Sequence, residues 1–151
     1  MELRSVEELM DLLHACRGTR HPADGGGGPV DVHDHALQTA ALLRRGRPAD
    51  KELQVAGLVH GIGRLLRPGD VTAHAAPLPD LVGPLLGDRV SRLGRLLSGD
   101  VPEPWDADDV LSLRQACEAG RVAGLHAGVL EDWRTVVELV VAHNSRLGAV
   151  D

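Results

Sequence analysis

The sequence predicts an all-α fold, a bundle of five to seven helices without a β-sheet. Apolar residues recur at three- and four-residue spacing in several segments, and no stretch shows the period-two alternation of a half-buried strand. Glycine and proline cut the chain into helix-sized pieces, and no internal repeat is present. With 151 residues, 43% hydrophobic and 25% charged, the chain has the size and composition of one globular domain, taken here as residues 1–151.

Each element follows from local chemistry. Ser5 with Glu8 makes a capping-box pattern, and Val6, Leu9, Met10, Leu12 and Leu13 lie at helical spacing until Gly18. Residues 18–31, with the run Gly25 to Gly28, form a loop because four successive glycines lose too much backbone entropy in a helix. A second helix spans about His33 to Arg45, with Ala36, Leu37, Ala40 and Leu43 on one face; Arg44 and Arg45 suit its C-terminal dipole, and Gly46 and Pro48 close it. Asp50 caps a third, apolar nearly all round through Leu53, Ala56, Leu58, Val59, Ile62 and Leu65, as expected at the centre of a bundle; Pro68 stops it.

Residues 67–104 read as a shortened, irregular middle region, with two short helices broken near Gly87 and Asp88 among Pro79, Pro84, Gly94 and Gly99. The turn "VPEPWDADD" leads into a helix from about Asp108 to Gly120, and a last helix runs from about Leu130 to His143. Few polar residues interrupt "TVVELVVAHN", Thr135 to Asn144, so one face of that helix is a candidate homodimer surface.

Composition excludes several classes of function. A net charge of −6 opposes a polyanion, and a chain with no Phe, no Tyr and only Trp105 and Trp133 offers no platform for stacking bases, so nucleic acid is not an expected partner. The start "MELRSVEELMDLL" lacks the basic and then apolar run of a signal peptide, and no apolar stretch reaches the roughly 20 residues of a membrane span. Cys16 and Cys117 have no CxxC partners and are expected to be small buried apolar residues. These features give the expectation of a soluble cytoplasmic protein with no membrane partner.

Ligand-type side chains cluster in two places. His33, Asp34 and His35 open the second helix, and His60 stands in the third among apolar neighbours, where a buried imidazole needs a hydrogen bond or a metal.

"VDVHDHALQTAALL" followed by "LQVAGLVHGIGRLL" resembles the paired helices of the HD-domain superfamily, in which one helix offers a histidine and the next a His-Asp pair. The likeness is greatest to the phosphonate-cleaving, PhnZ-like HD-domain oxygenases, and "DADDVLSLRQACEAGRVAGL" is similar to a later segment of that branch, where the matching aspartate is Asp109. The resemblance covers about residues 1–66 and 105–140. It implies an all-helical HD-like fold, a dinuclear iron centre, and cleavage of a small organophosphorus substrate.

The departures from the family pattern are specific. The bridging aspartate of the His-Asp pair is Gly61, which has no oxygen donor. His74, in a Pro/Ala-rich stretch, is the sole replacement for the second-metal histidines, and no ligand stands at the other place, around "VSRLGRLL". A family loop resembling "YGGE" is "GGGG" here, a lysine position is Gly94, and a histidine position is Arg64.

What remains is His35, His60 and Asp109, a two-imidazole, one-carboxylate set suited to a single Fe, Mn or Zn ion. Two readings stay open. In the first, the chain is a degenerate HD-domain protein, a pseudoenzyme without metal that serves as a small-ligand-binding or partner-interaction module, with His35 hydrogen-bonded to Asp109. In the second, it is a mononuclear oxygenase or hydrolase acting on a small anionic substrate. His33, Asp34 or His74 is then the general base, Arg64 and Arg67 hold the anion, and Gly61 leaves space for it.

Overall fold

The computed structural model describes residues 5–18, 31–60, 78–97, 101–120 and 128–150. Among them are seven α-helices and no strand: α1 (Val6–Ala15), α2 (Val32–Gly46), α3 (Lys51–Val59), α4 (Leu78–Leu86), α5 (Asp88–Leu97), α6 (Ala107–Ala119) and α7 (Arg134–Val150). Short 3-10 turns, Pro104–Asp106 and Leu130–Trp133, lead into α6 and α7.

The helix starts are set by side-chain caps. Ser5 Oγ accepts the Glu8 N–H at 3.2 Å, Asp31 Oδ1 accepts the Asp34 N–H at 2.8 Å, and Asp50 Oδ1 accepts the Leu53 N–H at 3.1 Å. α4 and α5 are separated by Gly87, whose φ of +98° is a left-handed conformation that a side chain would strain. Asn144 of α7 donates its amide to the carbonyls of Pro84 and Leu85, both at 3.2 Å, and so satisfies the orphan C-terminal groups of α4.

α3 is the central helix. Every residue from Leu53 to Val59 is buried, and α2, α5, α6 and α7 all pack on it; α4 lies against α5 and α7, and α1 against α7 and α2. Leu and Val dominate the core, around one large ring, Trp133, which is fully buried with the Arg44 guanidinium 4.6 Å above its centre. In the apolar stretch Thr135 to Asn144, Val137 and Val140 belong to the core, Val136 and Val141 pack partly buried against it, and Leu139 is half-exposed. No helix among the described residues is long and apolar enough to cross a membrane.

One difference from expectation lies at the end of α3. The helix stops at Val59 with His60 as its C-cap, whereas the sequence places His60 mid-helix and continues through Ile62 and Leu65, which lie outside the described residues. The glycines of "HGIG" withdraw helix propensity at that point.

At the opposite end of α3, partly buried charges tie four helices together. Arg89 of α5 grips Asp50 with both terminal nitrogens, at 2.6 and 2.8 Å, and reaches Asp109 at 3.1 Å and Glu52 at 3.3 Å. Arg47, just past α2, donates to Asp109 at 2.7 Å and to Asp50 at 3.3 Å. The Arg89 hydrogen bonds hold the Asp50 carboxyl below its ordinary value of 3.8. A depressed carboxylate contributes stability above its unfolded pKa, and that contribution fades as pH falls through the folded value. Arg89→Met is therefore expected to melt lower at neutral pH, and to show a flatter loss of stability than the native chain below about pH 4, in a series of thermal melts.

Candidate metal centre

Three helix ends meet at one pole of the bundle. His35 lies in the first turn of α2, His60 caps α3, and Cys117 occupies the last turn of α6. One ligand atom from each lies within 4.8 Å of the others. His35 is 9% exposed, His60 6%, and Cys117 partly exposed.

The geometry starts with the carbonyls left over at the end of α6. The last carbonyls of a helix have no partner within it. Here α2 supplies them: His35 Nε2–H donates to the Cys117 carbonyl at 2.7 Å, and the Gln38 amide donates to the Gly120 carbonyl at 2.6 Å. The helices come so close that a Cβ on Gly120 would lie 2.7 Å from Thr39 Oγ1 and 3.1 Å from the Thr39 amide nitrogen, distances only glycine accommodates. Cys117 Sγ is thereby set 3.7 Å from His35 Nε2 and 3.6 Å from His60 Nε2. The two imidazoles meet edge to face, with ring centres 5.0 Å apart.

His60 has its tautomer fixed. Its Nδ1–H donates to the Gly57 carbonyl one turn back, which leaves the Nε2 lone pair facing Cys117. A metal-binding histidine is commonly oriented in this way, by a backbone carbonyl on its other nitrogen. Zinc bonds of about 2.0–2.1 Å to nitrogen and 2.3 Å to sulfur, at a tetrahedral angle, put N and S about 3.6 Å apart, the separation found at both imidazoles. Metal entry at His35 Nε2 would exchange its proton, and its hydrogen bond to the Cys117 carbonyl, for coordination.

Of the three ligands nominated from the sequence, the structure brings His35 and His60 together and places Asp109 elsewhere. Asp109 lies in the first turn of α6, eight residues before Cys117, about 12 Å along the axis at 1.5 Å per residue. Arg47 holds its Oδ1 and Arg89 its Oδ2. The hydrogen bond from His35 expected for a metal-free site goes to the Cys117 carbonyl instead. Asp109→Asn is accordingly expected to leave zinc binding unchanged while lowering stability by roughly 1–3 kcal/mol, because it weakens a partly buried charged hydrogen-bond set; calorimetric metal titration and chemical denaturation measure the two effects separately.

His33 and Asp34 belong to a second group with Asp31. It is organised as a helix start: the two Asp31 oxygens accept the Asp34 and Gly18 N–H groups, at 2.8 and 2.7 Å, and His33 Nδ1–H donates to Asp34 at 3.1 Å. The His33 ring is stacked on His14 with centres 6.4 Å apart. Gly94 is buried within α5. Gly61, Arg64, Arg67, His74 and the run Gly25 to Gly28 lie outside the described residues.

The sequence does not mark Cys117 or Gln38 as site residues. A cysteine three residues before a glycine at a helix end carries no local mark of a ligand. Its significance depends on α6 lying against α2, a pairing between residues 82 positions apart.

No family model matches the chain, and no curated protein matches it. The likeness to HD domains rests on the motifs quoted above.

The dinuclear iron centre implied by that likeness does not fit these residues. Position 61 has no bridging oxygen, and the Asp109 carboxylate is engaged by two arginines. A single thiophilic ion does fit, with donors on three separate helices.

Proposed function

We propose that this chain binds one transition-metal ion, zinc being the best match, through His35, His60 and Cys117, as a shortened HD-domain relative that no longer builds two metal sites. The carrying observation is the set of N···S separations, 3.6 and 3.7 Å, at side chains carried by three different helix ends. One thiolate with two imidazoles is a soft to borderline donor set that suits zinc better than magnesium or manganese. Three protein ligands leave a fourth tetrahedral position, where a bound metal supplies Lewis acidity toward water or a small anion.

The chain's own residues do the positioning. Gly57 orients His60, Gln38 holds the end of α6, and the close approach at Gly120 fixes the depth of Cys117.

A second reading has its own support. The hydrogen bond of His35 to the Cys117 carbonyl joins α2 to α6, and the Cys117 sulfur, 3.6 Å from His60 Nε2, joins α6 to the end of α3, so the same side chains would act as a lock in a metal-free binding module. Elemental analysis of the protein purified with Zn, Fe and Mn supplied separates the readings. One zinc per chain is the expected result, and a metal content near zero after supply of all three selects the lock.

A further inference from the structure

The two thiols of the chain sit in opposite surroundings. Cys16 is 1% exposed, and burial, assisted by the Asp31 carboxylate, pushes its thiol up to about 11. Cys117 is partly exposed and stands against two imidazole nitrogens. An oxidant must reach the sulfur, and access favours Cys117.

Resting on the single-metal reading above, we infer that the centre is a redox-controlled metal store, in which a hydroperoxide oxidises the Cys117 sulfur and the ion is released without unfolding the bundle. The thiolate sulfur attacks one peroxide oxygen; an S–O bond forms as the O–O bond breaks, and the sulfur gives up two electrons. The departing hydroxide takes a proton from solvent and leaves as water, so hydrogen peroxide yields a sulfenic acid at Cys117 and one water. The sulfur then no longer offers an anionic soft donor. Two imidazoles remain, and the ion leaves hydrated.

The fold is built to survive this step. The Gln38 bond to the Gly120 carbonyl, which seats the end of α6 on α2, uses neither the sulfur nor a ligand atom, and the bond from His35 to the Cys117 carbonyl is regained when the ion leaves. A thiol reductant returns the sulfenic acid to the thiol, consuming two reductant thiols and releasing one disulfide and one water, and with it the site.

The experiment uses the full chain loaded with zinc and titrated with hydrogen peroxide. Free zinc is followed with a chromogenic chelator, Cys16 and Cys117 are scored separately by peptide mass after sulfenic-acid trapping with a 1,3-diketone, and helicity is followed by circular dichroism. The expected result is one zinc released per Cys117 oxidised, unchanged helicity, zinc uptake restored by a thiol reductant, and the same response in Cys16→Ala. Zinc retained while Cys117 is oxidised, zinc retained with Cys117 untouched, or release that follows Cys16 would each overturn the inference and leave the metal site standing. A chain that takes up no zinc before any peroxide is added would overturn the metal site and this inference together.

Discussion

His60→Ala is expected to lower zinc affinity by at least about 100-fold, since even loss of a residue that merely orients a ligand commonly costs 10–100-fold in affinity. The imidazole supplies one of three protein ligands, and its Nε2 has no substitute among the described residues at that end of α3. The effect on the metal-free fold should be far smaller, about 1 kcal/mol, because what the change removes is uncharged side-chain hydrogen bonding, including that to the Gly57 carbonyl and the contact with the Cys117 sulfur. Competition titration against a chromogenic chelator, beside thermal melts of the metal-free proteins, separates these quantities. A variant that keeps native zinc affinity would remove His60 from the site.

The largest expected stability effect lies away from the metal centre. Trp133→Ala empties the position of the one large ring in a core otherwise made of aliphatic side chains, and is expected to destabilise the protein by about 3–5 kcal/mol. Total stabilities of about 5–15 kcal/mol make that a large fraction of the whole. The Arg44 guanidinium over the ring face adds to the loss. Trp105, at 74% exposure, provides the internal comparison, and Trp105→Ala should shift stability by no more than about 0.5 kcal/mol. Urea denaturation followed by far-ultraviolet circular dichroism reads both without relying on the replaced fluorophores.

Much of this architecture is visible in short-range chemistry. Ser5 with Glu8, and Asp50 before an apolar run, announce helix starts that the structure contains, because a cap is a bond between residues three apart. Gly87 marks the break between α4 and α5 because only glycine takes a φ of +98° at low cost. The second helix, expected over about His33 to Arg45, is found as Val32–Gly46. His35 and His60 are also legible as a pair, through the spacing of the motifs that carry them.

The third donor of the proposed site was not legible, for a physical reason. Asp109 and Cys117 share α6, and which of them meets the histidines depends on how that helix lies across α2. Nothing local in "DADDVLSLRQACEAG" sets that alignment. It is set by the Gln38 to Gly120 bond and the close packing at Gly120 at one end, and by Arg47 and Arg89 taking Asp109 at the other. A displacement of two turns along one helix therefore replaces a carboxylate with a thiolate. The expected metal narrows with it, from Fe, Mn or Zn toward zinc.

The most direct test of the site is cobalt(II) substitution, because cobalt reports both its ligands and its geometry by absorption. The native chain is predicted to take up one equivalent with intense visible bands of a tetrahedral ion and a near-ultraviolet thiolate-to-cobalt charge-transfer band, the latter lost in Cys117→Ser and kept in Asp109→Asn. No cobalt uptake, or the weak spectrum of an octahedral ion that is indifferent to Cys117, would contradict the His35, His60 and Cys117 centre.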